Sequence, residues 1–261
     1  MLAAALRQRL AAGRPTALVE IVSVEGSAPR EPGVKMLVDE NGIVGTIGGG
    51  VLEMKAIEAA RKVVLGANQV QELDIPLGPE IGQCCGGRVR LVVRPARSAD
   101  ALGIHAEEIR AASSQPTVLV FGAGHIGGAL VRALAPLPLS VAAIDQRAEW
   151  LSPLDDIAET IQTPLPEALV DTAPPGAGYV VLTHDHALDF LIVEAALARG
   201  DAAYVGMIGS ATKRAKLRSQ LARNGVSDDA LTCPIGAAGK GDKNPDVIAL
   251  AVAAELAATL L

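Results

Sequence analysis

The sequence contains few aromatic residues and few cysteines. Only 2% of its 261 residues are aromatic, namely one Trp, two Tyr and two Phe, and there are three Cys. So few rings leave little surface on which nucleic-acid bases or a permanently held flavin could stack. Three cysteines cannot build a disulfide framework, and an odd number is typical of a reducing compartment. We therefore expect a cytoplasmic protein.

An excess of basic charge is also missing. The chain has 23 lysines and arginines against 29 aspartates and glutamates, a formal net charge of −6, which argues against a nucleic-acid binder. Residues 1–115 carry 13 basic and 13 acidic side chains, whereas residues 116–261 carry 10 and 16. The neutral first half is therefore the better host for an anionic ligand.

No hydrophobic run is long enough to suggest a membrane segment. The N-terminal residues 1–15 are interrupted by Arg7 and Arg9, so they predict a helix rather than a signal peptide. The most apolar stretch, residues 247–261, contains Glu255 and falls short of the roughly 20 residues that a membrane span requires. We expect no membrane association.

The first half predicts a compact α+β domain. Alternation and β-branched residues predict strands, and apolar residues at helical spacing predict helices. The predicted helices are 1–12, 51–65 and 100–112, and the predicted strands are 16–24, 34–38, 43–47, 70–75 and 88–95. A polar stretch ending at Pro116 follows, so we divide the chain into domains 1–113 and 114–261.

The second half predicts a Rossmann-like, doubly wound parallel sheet. Short apolar strands alternate with helices, which is typical of parallel sheets covered on both faces. The predicted strands are 117–121, 139–144, 157–161, 178–183 and 202–209, with helices after most of them and a last helix over 246–260.

A glycine-rich loop follows the first of these strands. Gly122, Gly124 and Gly127, with His125 among them, match the G-x-G-x-x-G pattern between a strand and a helix. Glycines there allow a tight turn and close approach of a phosphate to the helix N-terminus. The alternative is that the glycines serve only strand–helix packing.

The end of the next strand carries two candidate nucleotide ligands. Asp145 lies 18 residues after Gly127, where a carboxylate can accept hydrogen bonds from ribose hydroxyls. Arg147 could hold an added phosphate instead. Dinucleotide binding at this loop is therefore one expectation for the domain.

Polar residues also follow the fourth and fifth strands. His184 and His186 could converge on a metal, but no third ligand is evident, so a polar rim to a ligand crevice is the better interpretation. Asp189 either caps the next helix or joins that rim. Ser210 is a natural N-cap and Lys213 follows one turn later, so this segment is either a solvated, capped helix or a second anion site.

Three loops of the first domain are rich in residues that turns alone do not require. The first places Ser27 and Arg30 together, and the second is Gly48, Gly49 and Gly50 before a helix, where backbone N–H groups could bind an anion. The third contains Gln83, Cys84 and Cys85. Each of the loops could also be no more than a tight turn.

The adjacent thiols fit few roles. A disulfide between neighbouring residues is strained, a structural zinc site usually needs four ligands, and an iron–sulfur cluster needs about four cysteines. A reactive thiol remains, with a pKa that Arg88 and Arg90 could lower. It could act as a nucleophile, a sulfur carrier, or a soft contact to copper or molybdenum. Cys233 is expected to be structural.

These motifs resemble the XdhC/CoxI family of xanthine dehydrogenase accessory factors. GSAPREPGVKMLV, GTIGGGVLE, IGQCCGG, VLVFGAGHIG and IGS occur in the family's order and span almost the whole chain. The resemblance implies a non-catalytic assembly chaperone that binds molybdenum cofactor as cargo and protects it. It further implies help in sulfuration by a cysteine desulfurase and delivery to a molybdenum hydroxylase apoenzyme of the xanthine dehydrogenase type.

The resemblance and the motifs together define a candidate cofactor-binding set, in which Cys84 or Cys85 contacts the molybdenum. We expect a homodimer that holds the cofactor between the N-terminal loops and the crevice of the second domain. The set is Ser27, Arg30, Gly48, Gly49, Gly50, Gln83, Cys84, Cys85, Gly122, Gly124, His125, Gly127, Asp145, Arg147, His184, Ser210 and Lys213.

Two alternatives remain. One is an NAD(P)-dependent oxidoreductase that chooses its cofactor through Asp145 or Arg147 and uses His184 as acid or base, which leaves the thiols unexplained. The other is a structural scaffold with a degenerate nucleotide fold, which would bind no small molecule.

Overall fold

The computed structural model describes residues 2–67, 69–78, 86–236 and 242–261. The chain forms two compact units, Met1–Ala111 and Ala112–Leu261. The point of division lies close to the 113/114 boundary predicted from the sequence.

The first unit is a five-stranded antiparallel sheet with helices on both faces. The strands follow the order β3-β2-β1-β5-β4, and β1 pairs with both β2 and β5. The strands are β1 (Ala17–Glu25), β2 (Lys35–Asp39), β3 (Gly42–Gly45), β4 (Gln71–Pro76) and β5 (Arg88–Pro95). The helices are α1 (Leu2–Ala11), α2 (Gly50–Lys62) and α3 (Ser98–Ser113).

The alternation of β1 explains why both faces are covered. Val19 and Ile21 point to the face on which Leu52 of α2 packs, whereas Leu18 points to the opposite face. There it joins Leu6 of α1 and an apolar side chain of α3 in a second, smaller core. Successive side chains of a strand face opposite ways, so one strand supplies both cores.

The second unit is a six-stranded parallel sheet with the order β11-β10-β9-β6-β7-β8. The strands are β6 (Thr117–Phe121), β7 (Ser140–Asp145), β8 (Glu159–Gln162), β9 (Gly178–Val181), β10 (Tyr204–Met207) and β11 (Leu231–Thr232). The helices are α4 (His125–Leu134), α5 (Ala148–Leu151), α6 (Leu169–Thr172), α7 (His186–Arg199), α8 (Ala211–Arg223) and α9 (Pro245–Leu260). Helices α4 and α9 cover one face, and α7 and α8 cover the other.

The predicted fold class is confirmed in both halves, and the differences are local. The predicted strand 202–209 shrinks to Tyr204–Met207, and β11 was missed because two residues carry no readable alternation. Among the described residues, none of the helices is long and apolar enough to cross a membrane.

The strand order of the second unit reverses between β6 and β9, its two central neighbours. The loops that follow these strands diverge to opposite faces of the sheet, which opens a crevice at the carboxyl ends. The glycine loop after β6 and the segment Thr183–His184 after β9 both lie there.

Candidate functional site

Close packing explains two of the three glycines in the loop after β6 but not the third. A Cβ on Gly127 would lie 1.8 Å from the carbonyl oxygen of Gly122, and one on Gly122 would lie 2.5 Å from that of Leu182. Close packing therefore requires both glycines. A Cβ on Gly124 would meet nothing within 4 Å, so strand–helix packing does not account for this glycine.

Gly124 instead borders an open cavity of about 390 Å³ at the start of α4. One wall is Trp150, whose ring contacts His125 edge-on at 4.9 Å between centroids. The guanidinium carbon of Arg147 lies 5.4 Å from the centroid of the same ring, a cation–π arrangement. Arg132 lines the cavity as well. The helix N-terminus, the Trp150 wall and the Arg132 guanidinium suit a planar anion, whereas Asp246 on the same lining carries negative charge.

Asp145 and Arg147, the two predicted nucleotide ligands, bind each other. Arg147 Nε donates to Asp145 Oδ1 at 3.0 Å and Nη2 donates to Oδ2 at 3.1 Å. The backbone N–H of Ala123 donates to Oδ2 at 2.8 Å, and Asp145 is buried, with 5% of the residue exposed. Burial alone would raise the pKa of Asp145, but Arg147 and these N–H groups outweigh it and lower the pKa. The carboxylate therefore stays charged and engaged.

The segment after β9 forms a rim around a small hollow. His184 is exposed and lines the hollow with Gly122 and Asp145. Within the part of the chain that the structure describes, its imidazole forms no hydrogen bond to another side chain, although Asp145, Gln146 and Thr183 line the same hollow. That part also contains no cluster of three or more His, Cys, Asp or Glu side chains that could bind a metal.

Asp189 has a different role from those the sequence suggested. The N-cap of α7 is Asp185, whose carboxylate accepts from the N–H of Ala187 at 2.8 Å. Asp189 is fully buried and accepts from both the hydroxyl and the N–H of Thr183, at 2.7 and 2.9 Å. Its spacing of three and four residues from the buried Ile192 and Val193 on α7 is a signal in the sequence that could have indicated its burial.

The ammonium group of Lys213 lies against this buried carboxylate. It forms an ion pair with Asp189 and donates to the carbonyl oxygen of Ile208 at 3.0 Å. Ser210 is the predicted N-cap of α8 and accepts from the N–H of Lys213 at 3.3 Å. Lys213 thus connects the start of α8 with α7, rather than being a solvated lysine.

In the first unit, a carboxylate of the chain itself occupies the glycine loop before α2. Glu53 Oε2 accepts from the hydroxyl of Thr46 and from the N–H groups of Ile47 and Gly49, at 3.0 and 3.1 Å for the last two. Burial would raise the pKa of Glu53, but the Thr46 hydroxyl and the backbone donors outweigh it and lower the pKa. Glu53, a carboxylate of the chain, thus accepts from N–H groups of this loop, and binding of an external anion there stays a prediction.

The same loop packs against the segment that carries Ser27 and Arg30. A Cβ on Gly48 would lie 2.5 Å from Cγ of Pro29. The two loops therefore approach more closely than any residue other than glycine at position 48 would allow. Ser27 forms an isolated β-bridge with Gly86, the first described residue after the thiol pair. Ser27 and Arg30 are exposed. Gln83, Cys84 and Cys85 lie outside the described residues.

The residues proposed to tune the thiols already have partners. Arg88 pairs with Asp74 at 2.9 Å, and Arg90 lies 3.7 Å from Asp74 and 3.8 Å from Glu25. These pairs reduce the positive charge that the arginines can offer to a neighbouring thiolate. Cys233 is buried, and burial raises its thiol pKa, as expected for a structural cysteine.

Two family models match the chain. The one described as "XdhC Rossmann domain" matches residues 118–256, which is more than half of the chain. The one described as "XdhC and CoxI family" matches residues 9–74. The chain belongs to the XdhC/CoxI family. The resemblance seen in the motifs is thereby confirmed, and the second unit is an XdhC Rossmann domain.

One similar curated protein is the uncharacterized protein YqeB of Escherichia coli (strain K12), 28% identical over 259 residues. The match covers 93% of this XdhC-family chain but only 43% of YqeB, so the chain spans less than half of that relative. A similar solved structure is described as a xanthine dehydrogenase from Bacillus halodurans, with a TM-score of 0.75 and 20% identity. That match covers 98% of this chain and 94% of the other, and it shows a common fold.

Proposed function

We propose that this XdhC-family chain binds molybdenum cofactor as cargo, protects it and assists its sulfuration. In this account it then delivers the cofactor to a molybdenum hydroxylase of the xanthine dehydrogenase type. Family membership supports the broader role of a maturation factor for such enzymes. The cofactor, its sulfuration and its insertion are the proposed part.

The observation that carries the proposal is that the Ser27–Arg30 segment of the first unit contacts both the glycine loop before α2 and Gly86. Ser27 forms a bridge with Gly86, and Pro29 packs on Gly48. Cys84 and Cys85 immediately precede Gly86 in the chain. Molybdopterin presents a phosphate ester and a sulfur-rich dithiolene, which suit a guanidinium and a soft thiolate respectively.

The occupied glycine loop refines this proposal. Because Glu53 already accepts from Ile47 and Gly49, the loop is a rigid support rather than the main phosphate site. We assign the phosphate to Arg30 and the hydroxyl of Ser27, which are exposed on the supported segment. The cavity beside Gly124 is the proposed site for a nucleotide, or for a nucleotide form of the cofactor. A cysteine desulfurase would supply the sulfur, and we keep the homodimer as part of the proposal.

Titration of the purified chain with molybdopterin tests the role of the thiols. The double variant Cys84→Ala, Cys85→Ala is expected to lose most of its affinity because the soft contact to the cofactor is gone. The matched control is Cys233→Ala, a buried thiol of the second unit, which should bind like the wild type. Unchanged affinity in the double variant would remove the thiols from the mechanism, and turnover with NADH or NADPH would favour an oxidoreductase instead.

A further inference from the structure

A cleft of about 600 Å³ lies between the N-terminal parts of α7 and α8. It is a different cavity from the one at Gly124, because the two have no lining residue in common. Pockets for small ligands are commonly about 300–1,000 Å³, apolar for the most part, with a few converging polar groups. The cleft meets each of these criteria.

The wall formed by α7 is apolar. Phe190 and Leu191 lie three and four residues after Ala187, about one helical turn, and all three line the cleft. Leu191 is 52% exposed and follows Phe190 in the sequence, so this wall presents an uncovered apolar surface. A flat apolar group could cover Phe190 and Leu191.

The wall formed by α8 is polar. Thr212, Lys216 and Gln220 are spaced four residues apart, so they line one face of the helix and point into the cleft. At the Gln220 end, the carboxylate of Glu194 accepts from Gln220 at 2.9 Å and from Asn224 at 2.6 Å. This carboxylate would repel an anion there, so an anionic group would lie at the opposite, open end near Ser210.

The buried ion pair between Lys213 and Asp189 lies at the inner end of the cleft. The Lys213 side chain is 10% exposed, lines the cleft and binds Asp189, which is 0% exposed. A buried pair of this kind adds little to stability compared with apolar residues of similar size, so fold stability alone does not explain it. It does fix the starts of α7 and α8, and hence the width of the cleft.

Charge also distinguishes α8 from the rest of its acidic unit. The helix carries five of the ten basic residues found in 116–261 and no acidic residue. Lys213 pairs with Asp189, Arg214 donates to the carbonyl of Cys233, and Arg218 lies 3.6 Å from Asp228. Lys216 lines the cleft without an ion pair to any residue that the structure describes, so its charge is available to a ligand.

We propose that this cleft binds a small planar anion, with a heteroaromatic ring on Phe190 and Leu191 and a phosphate or carboxylate at Lys216. Ser210 and Thr212 supply hydroxyl donors to the same anionic group. A mononucleotide and a pterin that carries an acid group share this chemistry. The site does not depend on the molybdenum cofactor assignment, since it lies in the second unit and uses none of the thiols.

The experiment is a fluorescence titration with 8-anilinonaphthalene-1-sulfonate, an aromatic anion, followed by displacement with AMP and with pterin-6-carboxylate. Lys216→Glu and Leu191→Asp should each weaken binding about tenfold or more, because each places a carboxylate against the anion or its ring. Lys216→Arg should keep the affinity. Arg223→Glu, the same charge change at an exposed position of α8 outside the cleft lining, is the control and should bind like the wild type. Thermal unfolding confirms that each variant is folded.

Displacement by AMP identifies a nucleotide site and displacement by pterin-6-carboxylate a pterin site, and either supports the proposal. Three results would overturn it. They are absence of probe binding, wild-type affinity in either Lys216→Glu or Leu191→Asp, and failure of both competitors to displace the probe.

Discussion

The Asp145 carboxylate and the Arg147 guanidinium form a two-point ion pair at the end of β7, with N–O distances of 3.0 and 3.1 Å. The same carboxylate accepts from the N–H of Ala123 in the glycine loop. In dinucleotide-binding sheets, the acidic residue at this position accepts hydrogen bonds from ribose hydroxyls. Here the acceptor is already engaged, so the pair closes the usual ribose site.

We therefore predict that the wild-type chain binds NADH weakly and that Arg147→Ala binds it about tenfold more tightly, because Asp145 regains free acceptor capacity. Fluorescence titration with NADH measures both. Arg218→Ala, which removes the ion pair of an exposed arginine with Asp228, is the control and should not change affinity. Micromolar binding of NADH by the wild type would show that the ion pair opens readily.

Gly124 and Gly127 separate the packing role of the loop from its binding role. Gly127→Ala should destabilise the second unit by about 3 kcal/mol or more, since its Cβ would overlap the carbonyl oxygen of Gly122. Gly124→Ala meets no atom within 4 Å, so its stability should stay within about 1 kcal/mol of the wild type. Urea unfolding measures both. Equal losses in the two variants would contradict the geometry of the loop.

The pH dependence of stability should report the Glu53 network. The folded-state pKa of Glu53 is lowered, so its contribution is present above the unfolded pKa of about 4.3 and is lost as the pH falls through the folded pKa. Glu53→Gln should cost about 1–3 kcal/mol at pH 7 through weaker hydrogen bonds to Thr46 and Gly49. Guanidinium unfolding of both proteins at pH 7 and at lower pH gives the difference. A difference in unfolding free energy between the wild type and Glu53→Gln that grows as the pH falls would contradict this prediction.

The buried pair of Asp189 and Lys213 should behave unlike a surface pair. Lys213→Ala leaves a fully buried carboxylate without its cation and should cost about 3–5 kcal/mol. The double variant with Asp189→Ala should lose less than the sum of the single changes, because the stranded charge is removed as well. Lys62→Ala, which breaks the exposed pair with Glu58, should cost less than about 0.5 kcal/mol. Additive losses for the buried pair would indicate that the two groups do not interact.

Periodicity and turn residues were enough to predict the fold class of both units and most of their strands, because those signals are local. The alternation of β1 and the glycine pattern after β6 each report on a few neighbouring residues. The pairing of Asp145 with Arg147 could have been suspected from their spacing of two, but the sequence left both free for ligands. The contacts of Glu53 and Asp189 depend on which loops and helices pack together in the folded protein. The sequence contains no local signal that Glu53 faces Gly49 or that Lys213 reaches Asp189.

The hypothesis about the thiol pair rests on the sequence alone, because Cys84 and Cys85 lie outside the described residues. What the structure adds is the setting of the loop end, where Gly86 pairs with Ser27. Arg30, an exposed cation, lies on the same segment as Ser27, and Gly86 directly follows Cys85 in the sequence. The account of the first unit as a cofactor carrier depends on these two features acting on one ligand.

The most direct test is to measure the molybdenum and the pterin that copurify with the chain from a host that makes molybdenum cofactor. Elemental analysis and pterin fluorescence should find both in fixed proportion to the wild-type chain. They should be largely lost from the double variant Cys84→Ala, Cys85→Ala and from Arg30→Glu, and retained by Cys233→Ala. Wild-type protein that carries neither molybdenum nor pterin under these conditions would contradict the proposed function.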